Sequence, residues 1–553
     1  MKKLLISFLI LSSLSCSGVI ETDIIVSKEI NQKETTQEFK TTDGYTILGE
    51  KIEIPYTIDN LLKAFELLPT ETKSQIDMSK IKATHYYVRF YPKNKKELDL
   101  LEEVKPRLML SETPLDREII VGGTSYRDPS LPDDVPTYQY TTIEVNRWRE
   151  LMDTLSVEGE VLLEAYMPDY YVEGETKSHS NNQQNEIDEL LKVAYEMTGH
   201  QYEPMTKASQ WHPSGTIKAY DNIKNEFIPI KGVRVRGTRL LKIEEALTNE
   251  YGYYALGAFK NDVNMKVIWE GENWDIRDNG LLQATHDGPK TNSQWHLKIN
   301  INEDKQLAFS ALHRAAYRCY IGNNKGLSRP ANSRREKIVL NNVETFDDSE
   351  GLYSKQAFLG IGNDIKIAGL ANSIFWNTPS ILYNITCHEL GHAIHCTHIK
   401  KKEYNDVEER VRETWATFIQ YLYTRLEYRE LGVEDKLCKI DSLKLMEEPD
   451  MRYNFQKRID NPESQNYYNT YTPLFVDLVD DYNQLAYYKY QPTIHPDDNI
   501  SNFPVHLIEG YLLNSQTFSE LKAKLLNYAN AYEDNPYGLT KDAVNNLFSV
   551  YNP

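Results

Sequence analysis

The sequence predicts a multidomain protein with an N-terminal α+β region, a small β-sandwich and a mainly α-helical C-terminal domain. The chain has 553 residues, which is too long for one hydrophobic core when domains of about 150 residues are typical. Apolar residues alternate with period two over 229–237, as in a strand, whereas helical spacing prevails after about residue 290. These observations divide the chain into the segments 1–16, 17–80, 81–225, 226–285 and 286–553.

The first segment has the features of a secretory signal peptide. Two lysines precede an apolar run over 4–11, which is far shorter than the ~20 residues that a membrane-spanning helix needs. Ser15 directly before Cys16 is similar to the cleavage box of bacterial lipoproteins, so we expect Cys16 to become the acylated mature N-terminus. Ordinary secretion is the alternative. The expected location is the bacterial cell envelope, at the outer membrane or cell surface, with contact to the membrane through the lipid anchor only.

The charge balance excludes one broad class of partner. Lys and Arg number 62 and Asp and Glu number 81, so the formal net charge is −19. A general nucleic-acid binder needs a basic surface to displace counterions, and we therefore expect no nucleic-acid partner. The cysteines other than Cys16 are too few for a disulfide scaffold in a chain of this size, although one bonded pair is compatible with their number: they are Cys319, Cys387, Cys396 and Cys438.

The segments before residue 286 combine strands, short helices and turns. Residues 17–80 form a polar lead-in with one helical patch at 61–68. In segment 81–225, β-branched and aromatic residues predict strands at 84–90 and 138–145. Segment 226–285 continues with a turn at Gly252 between further strand patterns, which predicts the β-sandwich.

The motif that carries chemistry lies in segment 286–553, at His388-Glu389-Leu390-Gly391-His392. Two histidines four positions apart on a helix place both imidazoles on one face, where they can coordinate one Zn²⁺. Glu389 then lies beside the metal as a base. Thr378 and Pro379 predict the start of this helix. Chance would produce this pattern only about 0.02 times in a chain of this composition, so a purely structural helix is the weaker interpretation.

The third metal ligand distinguishes the subclasses of such sites. Glu413 is 21 positions after His392, on a helix predicted to begin after Asn405 or Asp406, and a His₂Glu set is a known catalytic zinc site. His398 is the alternative ligand, at the spacing of an extended motif whose third histidine follows a glycine turn. The glycine position of that turn is occupied by His395, which cannot form the turn as easily. His395 could instead line the cleft.

Other acidic residues have simpler interpretations. Asp480 and Asp481 lie in an amphipathic segment and are interpreted as a helix face or a capping network, with a cleft role as the alternative. Glu408 and Glu409 are interpreted as a solvated helix start, with Glu409 as an alternative partner of a ligand histidine.

These motifs resemble those of gluzincin-type zinc metallopeptidases, and more narrowly those of the zinc-dependent metalloproteinase lipoproteins of Bacteroidetes-type bacteria. The resemblance extends from Tyr86–Phe90 through His388–His395 and Glu413–Ala416 to Tyr471–Asp481. It implies that His388, His392 and Glu413 hold one Zn²⁺ in a zincin-like catalytic domain over 286–553. Segment 226–285 resembles a carboxypeptidase regulatory-like domain, which is usually a structural spacer.

The predicted function is that of a lipid-anchored zinc metallopeptidase acting on a protein or peptide substrate. Glu389 would remove a proton from the attacking water and deliver it to the leaving amine. Tyr471, Tyr482, Tyr383 and His395 are the candidates for the second donor to the oxyanion. The alternatives are a surface binding lipoprotein with a degenerate or structural zinc site and a zinc amidase acting on peptidoglycan stem peptides. The presence of Glu389 favours an enzyme, because a structural site needs no base.

Overall fold

The computed structural model describes residues 40–167, 181–202, 210–331, 334–346, 351–353, 365–372, 375–399, 404–433, 472–483, 485–486 and 496–551. Cys16, Cys438 and Tyr471 lie outside the described residues. The chain is multidomain, with helices and sheets mixed, which confirms the α+β class in outline. Among the residues the structure describes, no helix has the length and apolarity needed to span a membrane.

The strands are β1 (Ile47–Lys51), β2 (His85–Phe90), β3 (Arg117–Val121), β4 (Gln139–Glu144), β5 (Gly159–Ala165), β6 (Ser214–Asp221), β7 (Glu226–Pro229), β8 (Arg234–Arg239), β9 (Lys242–Leu247), β10 (Tyr253–Ala255), β11 (Val263–Ile268), β12 (Trp274–Asp278), β13 (Leu282–Gln283), β14 (Thr285–Thr291), β15 (Trp295–Ile299), β16 (Glu336–Asn341), β17 (Gly351–Tyr353) and β18 (Ile365–Ala368). The helices are α1 (Ile58–Leu67), α2 (Thr70–Lys73), α3 (Lys95–Glu102), α4 (Val145–Thr154), α5 (Asn181–Met197), α6 (Asp304–Tyr320), α7 (Pro379–His398), α8 (Glu409–Glu430), α9 (Leu474–Asp477), α10 (Val505–Leu512), α11 (Phe518–Ala531) and α12 (Lys541–Tyr551), with one 3₁₀ turn at Met78–Lys80.

The N-terminal part of the described chain is built around strand β2, which pairs antiparallel with β4 and β5. Helix α1 begins after Thr57, whose side chain accepts a hydrogen bond from the backbone N–H of Asn60. Tyr87 on β2 is buried and donates a hydrogen bond to Asp116 at 3.1 Å. These elements confirm the strands predicted at 84–90 and 138–145 and the helix near 61–68. They pack around a hydrophobic core that also includes Leu241 and Ile243 from the central part of the chain.

The central part contains two four-stranded sheets among the described strands. β8 pairs with β9 and β11, and β11 pairs with β14; in the second sheet β6 pairs with β7 and β10 and runs parallel to β15. Gly252 lies at φ +72° in the turn before β10, a conformation that favours glycine, as its position in the sequence predicted. Strand β6 lies before residue 226 and β15 after residue 285, so these sheets include strands from outside segment 226–285.

The third large sheet positions the candidate site. Its order is β13-β12-β16-β18-β17, in which β12, β16 and β18 are parallel and β13 and β17 are antiparallel at the two edges. Helices α6, α7 and α8 contact one another, and α7 also contacts β17 and β18. Cys319 on α6 and Cys387 and Cys396 on α7 are buried, where cysteine packs as a small apolar residue.

Buried ion pairs join α6 to α8. The carboxylate of Glu427 on α8 accepts hydrogen bonds from Nη2 of Arg314 at 3.0 Å and from Nη2 of Arg318 at 2.6 Å. Arg314 also forms an ion pair with Asp221 on β6, at 2.9 Å. A buried carboxylate needs such partners, because desolvation of an unpaired charge is costly. The pairs therefore set the position of α8, the helix that carries Glu413, against the rest of the domain.

Candidate metal centre

Helix α7 places the two histidines of the motif side by side. Thr378 is its N-cap residue and Pro379 its first residue, as predicted, although the Thr378 side chain makes no capping bond to the backbone. The four-residue spacing puts His388 and His392 on the same face, with their ring centroids 4.9 Å apart. Both rings point toward α8.

Helix α8 brings a carboxylate to the same point. It begins at Glu409, later than the sequence predicted. Oε2 of Glu413 lies 3.2 Å from Nε2 of His388 and 3.3 Å from Nε2 of His392. One ligand atom from each of the three residues lies within 4.8 Å of the others, so the three side chains can hold a metal ion. Their side chains remain 11–16% exposed, which leaves the centre reachable from solvent.

The outer nitrogen of each histidine has a hydrogen-bond partner. Nδ1 of His388 lies 3.3 Å from Oε1 of Gln420, and Nδ1 of His392 lies 3.1 Å from the hydroxyl of Tyr404. The amide of Gln420 donates its Nε2–H to Asn384, which orients Oε1 toward His388. Because a carbonyl oxygen can only accept, Nδ1–H of His388 donates to Gln420, and Nε2 is the nitrogen that would hold a metal ion.

The charges at the centre stabilise one another. Burial raises the pKa of Glu413, but the charge of His392 and the hydrogen bonds from both histidines hold that pKa well below its usual value. Burial lowers the pKa of His388, yet its hydrogen bond to Glu413 and the charges of Glu389 and Glu413 bring the net pKa above the usual value. A site that favours a carboxylate beside cations is suited to a bound metal ion.

Glu389 is buried beside this centre. Only 4% of the residue is exposed, and Gly351 and Tyr353 of β17 lie beside its carboxylate. Burial raises the pKa of Glu389, and the charges of His392 and His388 oppose that rise. A carboxylate with a raised pKa next to a metal centre is suited to accept and return a proton.

The two other histidines of the motif region lie elsewhere. His395 is fully buried, with its ring edge-on to Tyr404 at 5.1 Å, and burial together with the charges of His392 and Arg412 lowers its pKa to about 3. His398 is exposed, and its Nε2 lies 2.8 Å from the carbonyl oxygen of Arg329. Among the described residues, neither joins the group of three ligands.

The remaining candidates take structural positions. The carboxylate of Glu408 accepts a hydrogen bond from the backbone N–H of Phe518 at 2.9 Å, and Glu409 is exposed at the start of α8. Tyr383 is fully buried, with its hydroxyl 3.4 Å from the carbonyl oxygen of Tyr423. The carboxylates of Asp477, Asp480 and Asp498 form a separate group within 4.8 Å, whereas Asp481 is not part of it. Tyr482 is half-buried beside that segment.

Sequence reasoning missed the residues that orient the ligands. Gln420 is seven positions after Glu413, two helical turns along the same face of α8, and that spacing was a usable signal. Tyr404 lies in the connection between α7 and α8, where no periodicity identifies it. Gly351 lies on β17, far from the motif in sequence, and it too had no local signal.

No family model matches the chain, and neither a curated protein nor a solved structure matches it.

Proposed function

We propose that the chain is a zinc-dependent metallopeptidase, as the resemblance to the gluzincins implies. The observation that carries the proposal is the convergence of His388, His392 and Glu413 on one point, with the buried carboxylate of Glu389 beside it. Among the described residues, the ion pairs elsewhere in the domain involve arginine or lysine, whereas this group offers only imidazole and carboxylate ligands.

The spacing of the ligand atoms supports zinc. In tetrahedral coordination with ligands at about 2.0–2.1 Å, two ligand atoms are about 3.3 Å apart. The separations between Oε2 of Glu413 and the two histidine Nε2 atoms are 3.2 and 3.3 Å. Three protein ligands on two helices leave the fourth position for water or substrate, as in catalytic rather than structural zinc sites.

The chemistry divides between the metal and Glu389. Zn²⁺, when bound, supplies a Lewis acid that makes water nucleophilic at neutral pH. Glu389 accepts the proton of the water that attacks the peptide carbonyl and returns it to the nitrogen of the leaving amine. Gln420 and Tyr404 keep the ligand imidazoles in the required tautomer and orientation throughout.

The position of β17 supports an extended peptide as substrate. It is the edge strand next to β18, and among the described strands no other strand pairs with its outer side. The backbone groups of an edge strand can pair with an added peptide strand. Since Gly351 and Tyr353 of β17 lie against Glu389, a peptide bound there would pass beside the catalytic groups.

The variant Glu389→Gln tests this function. It keeps the size of the side chain and removes its basicity, so we expect full zinc content and loss of cleavage of an unbiased peptide library; a chelator should abolish cleavage by the wild type. Glu408→Gln is the matched control, because that carboxylate contacts Phe518 and not the centre. Cleavage by Glu389→Gln at the wild-type rate would refute the proposed base, and peptidoglycan stem peptides in the same assay would identify an amidase.

Tethering to the cell envelope is a separate part of the proposal. It rests on the signal-like residues 1–16 and on Cys16. Metabolic labelling with palmitate should mark the wild type and not Cys16→Ser. Equal labelling of both chains would show that Cys16 is not the acylated residue.

A further inference from the structure

The backbone of β17 approaches Glu389 at a glycine. A Cβ added to Gly351 would lie 2.9 Å from both Cγ and Cδ of Glu389, and closer still to Oε1. Real Cβ atoms essentially never approach other atoms so closely, so any side chain at position 351 must displace one of the two groups. Two strand positions further on, the backbone of Tyr353 also lies near this carboxylate.

Glu389 has little freedom to move aside. It is 4% exposed and lies on α7 between the two ligand histidines, in a helix that packs against α6 and α8. The close approach of the bare Cα of Gly351 therefore limits where its carboxylate lies. This matters for catalysis, because a displacement of about 1 Å at a reacting group can cost about 100-fold in rate.

We propose that Gly351 is a positioning residue for Glu389: the absence of a side chain at position 351 lets strand β17 hold the catalytic carboxylate next to the metal centre. This inference rests on the proposed function and extends it to the strand on which the substrate is expected to bind. The base and the substrate would then take their positions from one strand, which fixes the distance between the carboxylate and the scissile bond.

The first test measures stability and requires no catalysis. Unfolding midpoints of the metal-free protein are compared for the wild type, Gly351→Ala, Glu389→Ala and the double variant. We expect Gly351→Ala to lower the midpoint, and Glu389→Ala to remove at least half of that loss because it provides the space that the new Cβ needs. If Gly351→Ala alone does not fold, the double variant should regain folding; failure of both, or additive losses, would overturn the contact.

The second test measures turnover of the zinc-loaded enzyme. We expect Gly351→Ala to lower kcat about 100-fold with KM changed less than about twofold and with zinc content unchanged. Gly369→Ala is the matched control, since its Cβ would meet the Trp376 side chain at the end of β18 instead of Glu389. Gly369→Ala should lower stability equally in the wild type and in the Glu389→Ala variant, and it should leave kcat unchanged.

The outcomes separate the two proposals. A folded, zinc-loaded Gly351→Ala enzyme with the kcat of the wild type would overturn the positioning role. A wild-type protein that binds zinc and cleaves no peptide would instead overturn the proposed function, while the coupling between positions 351 and 389 in the stability experiment would still be measurable.

Discussion

The hydroxyl of Tyr404 lies 3.1 Å from Nδ1 of His392, one of the three candidate metal ligands. Tyr404 is buried, and the guanidinium of Arg412 lies over its ring at 5.5 Å from the centroid. The ring is thus held in place, and its oxygen can accept the Nδ1 proton of His392. This contact favours the tautomer in which Nε2 would be the metal-binding atom.

Tyr404→Phe should weaken zinc binding by about 10-fold or more, because the imidazole of His392 loses the partner that orients it. The measurement is a competition titration with a chelator of known affinity. Tyr254→Phe is the control: it also removes a buried hydroxyl, which donates to the carbonyl of Trp295 at 3.0 Å in the central sheet. Equal zinc affinity in the two variants would contradict the role of Tyr404.

Glu413→Ala should reduce the zinc content of the purified protein well below one ion per chain, whereas His398→Ala should leave it unchanged. The reason is geometric: the Glu413 carboxylate lies 3.2 Å from Nε2 of His388, and Nε2 of His398 contacts the carbonyl of Arg329. Metal analysis of the two variants gives the answer. Loss of zinc from the His398 variant alone would make that histidine the third ligand.

Gly391→Ala should separate the two ligand-bearing helices. A Cβ at position 391 would lie 2.9 Å from Cα of Ala416 on α8, so we expect a loss of about 1–3 kcal/mol in unfolding free energy and weaker zinc binding. Gly510→Ala on α10 is the control, because its Cβ meets nothing within 4 Å and alanine favours the helix by up to about 1 kcal/mol. Chemical denaturation with and without zinc measures both effects.

His313 should make the stability depend on pH. Its Nδ1 accepts the indole N–H of Trp274 at 3.1 Å and its Nε2–H donates to the carbonyl of Lys231 at 3.0 Å, so only the neutral ring fits. Burial lowers the pKa of His313 to about 4. Between that value and the unfolded value of about 6.5, the unfolded chain binds more protons, so stability falls as the pH falls.

Lowering the pH from 7 to 5 should therefore cost the wild type about 2 kcal/mol through His313 alone. His313→Gln should be less stable at pH 7 and should lose less between the two pH values. Urea unfolding of both proteins at each pH measures the difference. An identical pH dependence in the two proteins would show that His313 does not titrate between the folded and unfolded states.

The sequence alone was enough to predict the local elements of the site. Residues four apart on a helix share a face whatever surrounds them, so His388 and His392 could be placed together without coordinates. The helix that carries Glu413 followed from its apolar spacing in the same way. The N-terminal strands were also predictable, because they depend on the residue types and turn residues close by in the chain.

The tertiary structure decided what those elements meet. The approach of Gly351 to Glu389 and of Tyr404 to His392 depends on how a strand and a connecting segment pack against α7, and no local propensity encodes such contacts. The sheets likewise join strands from both sides of the segment boundaries that the sequence had predicted, since strand pairing depends on backbone hydrogen bonds between distant residues. Spacing along one helix determined the pairing of His388 and His392, and packing between elements determined what lies against Glu389.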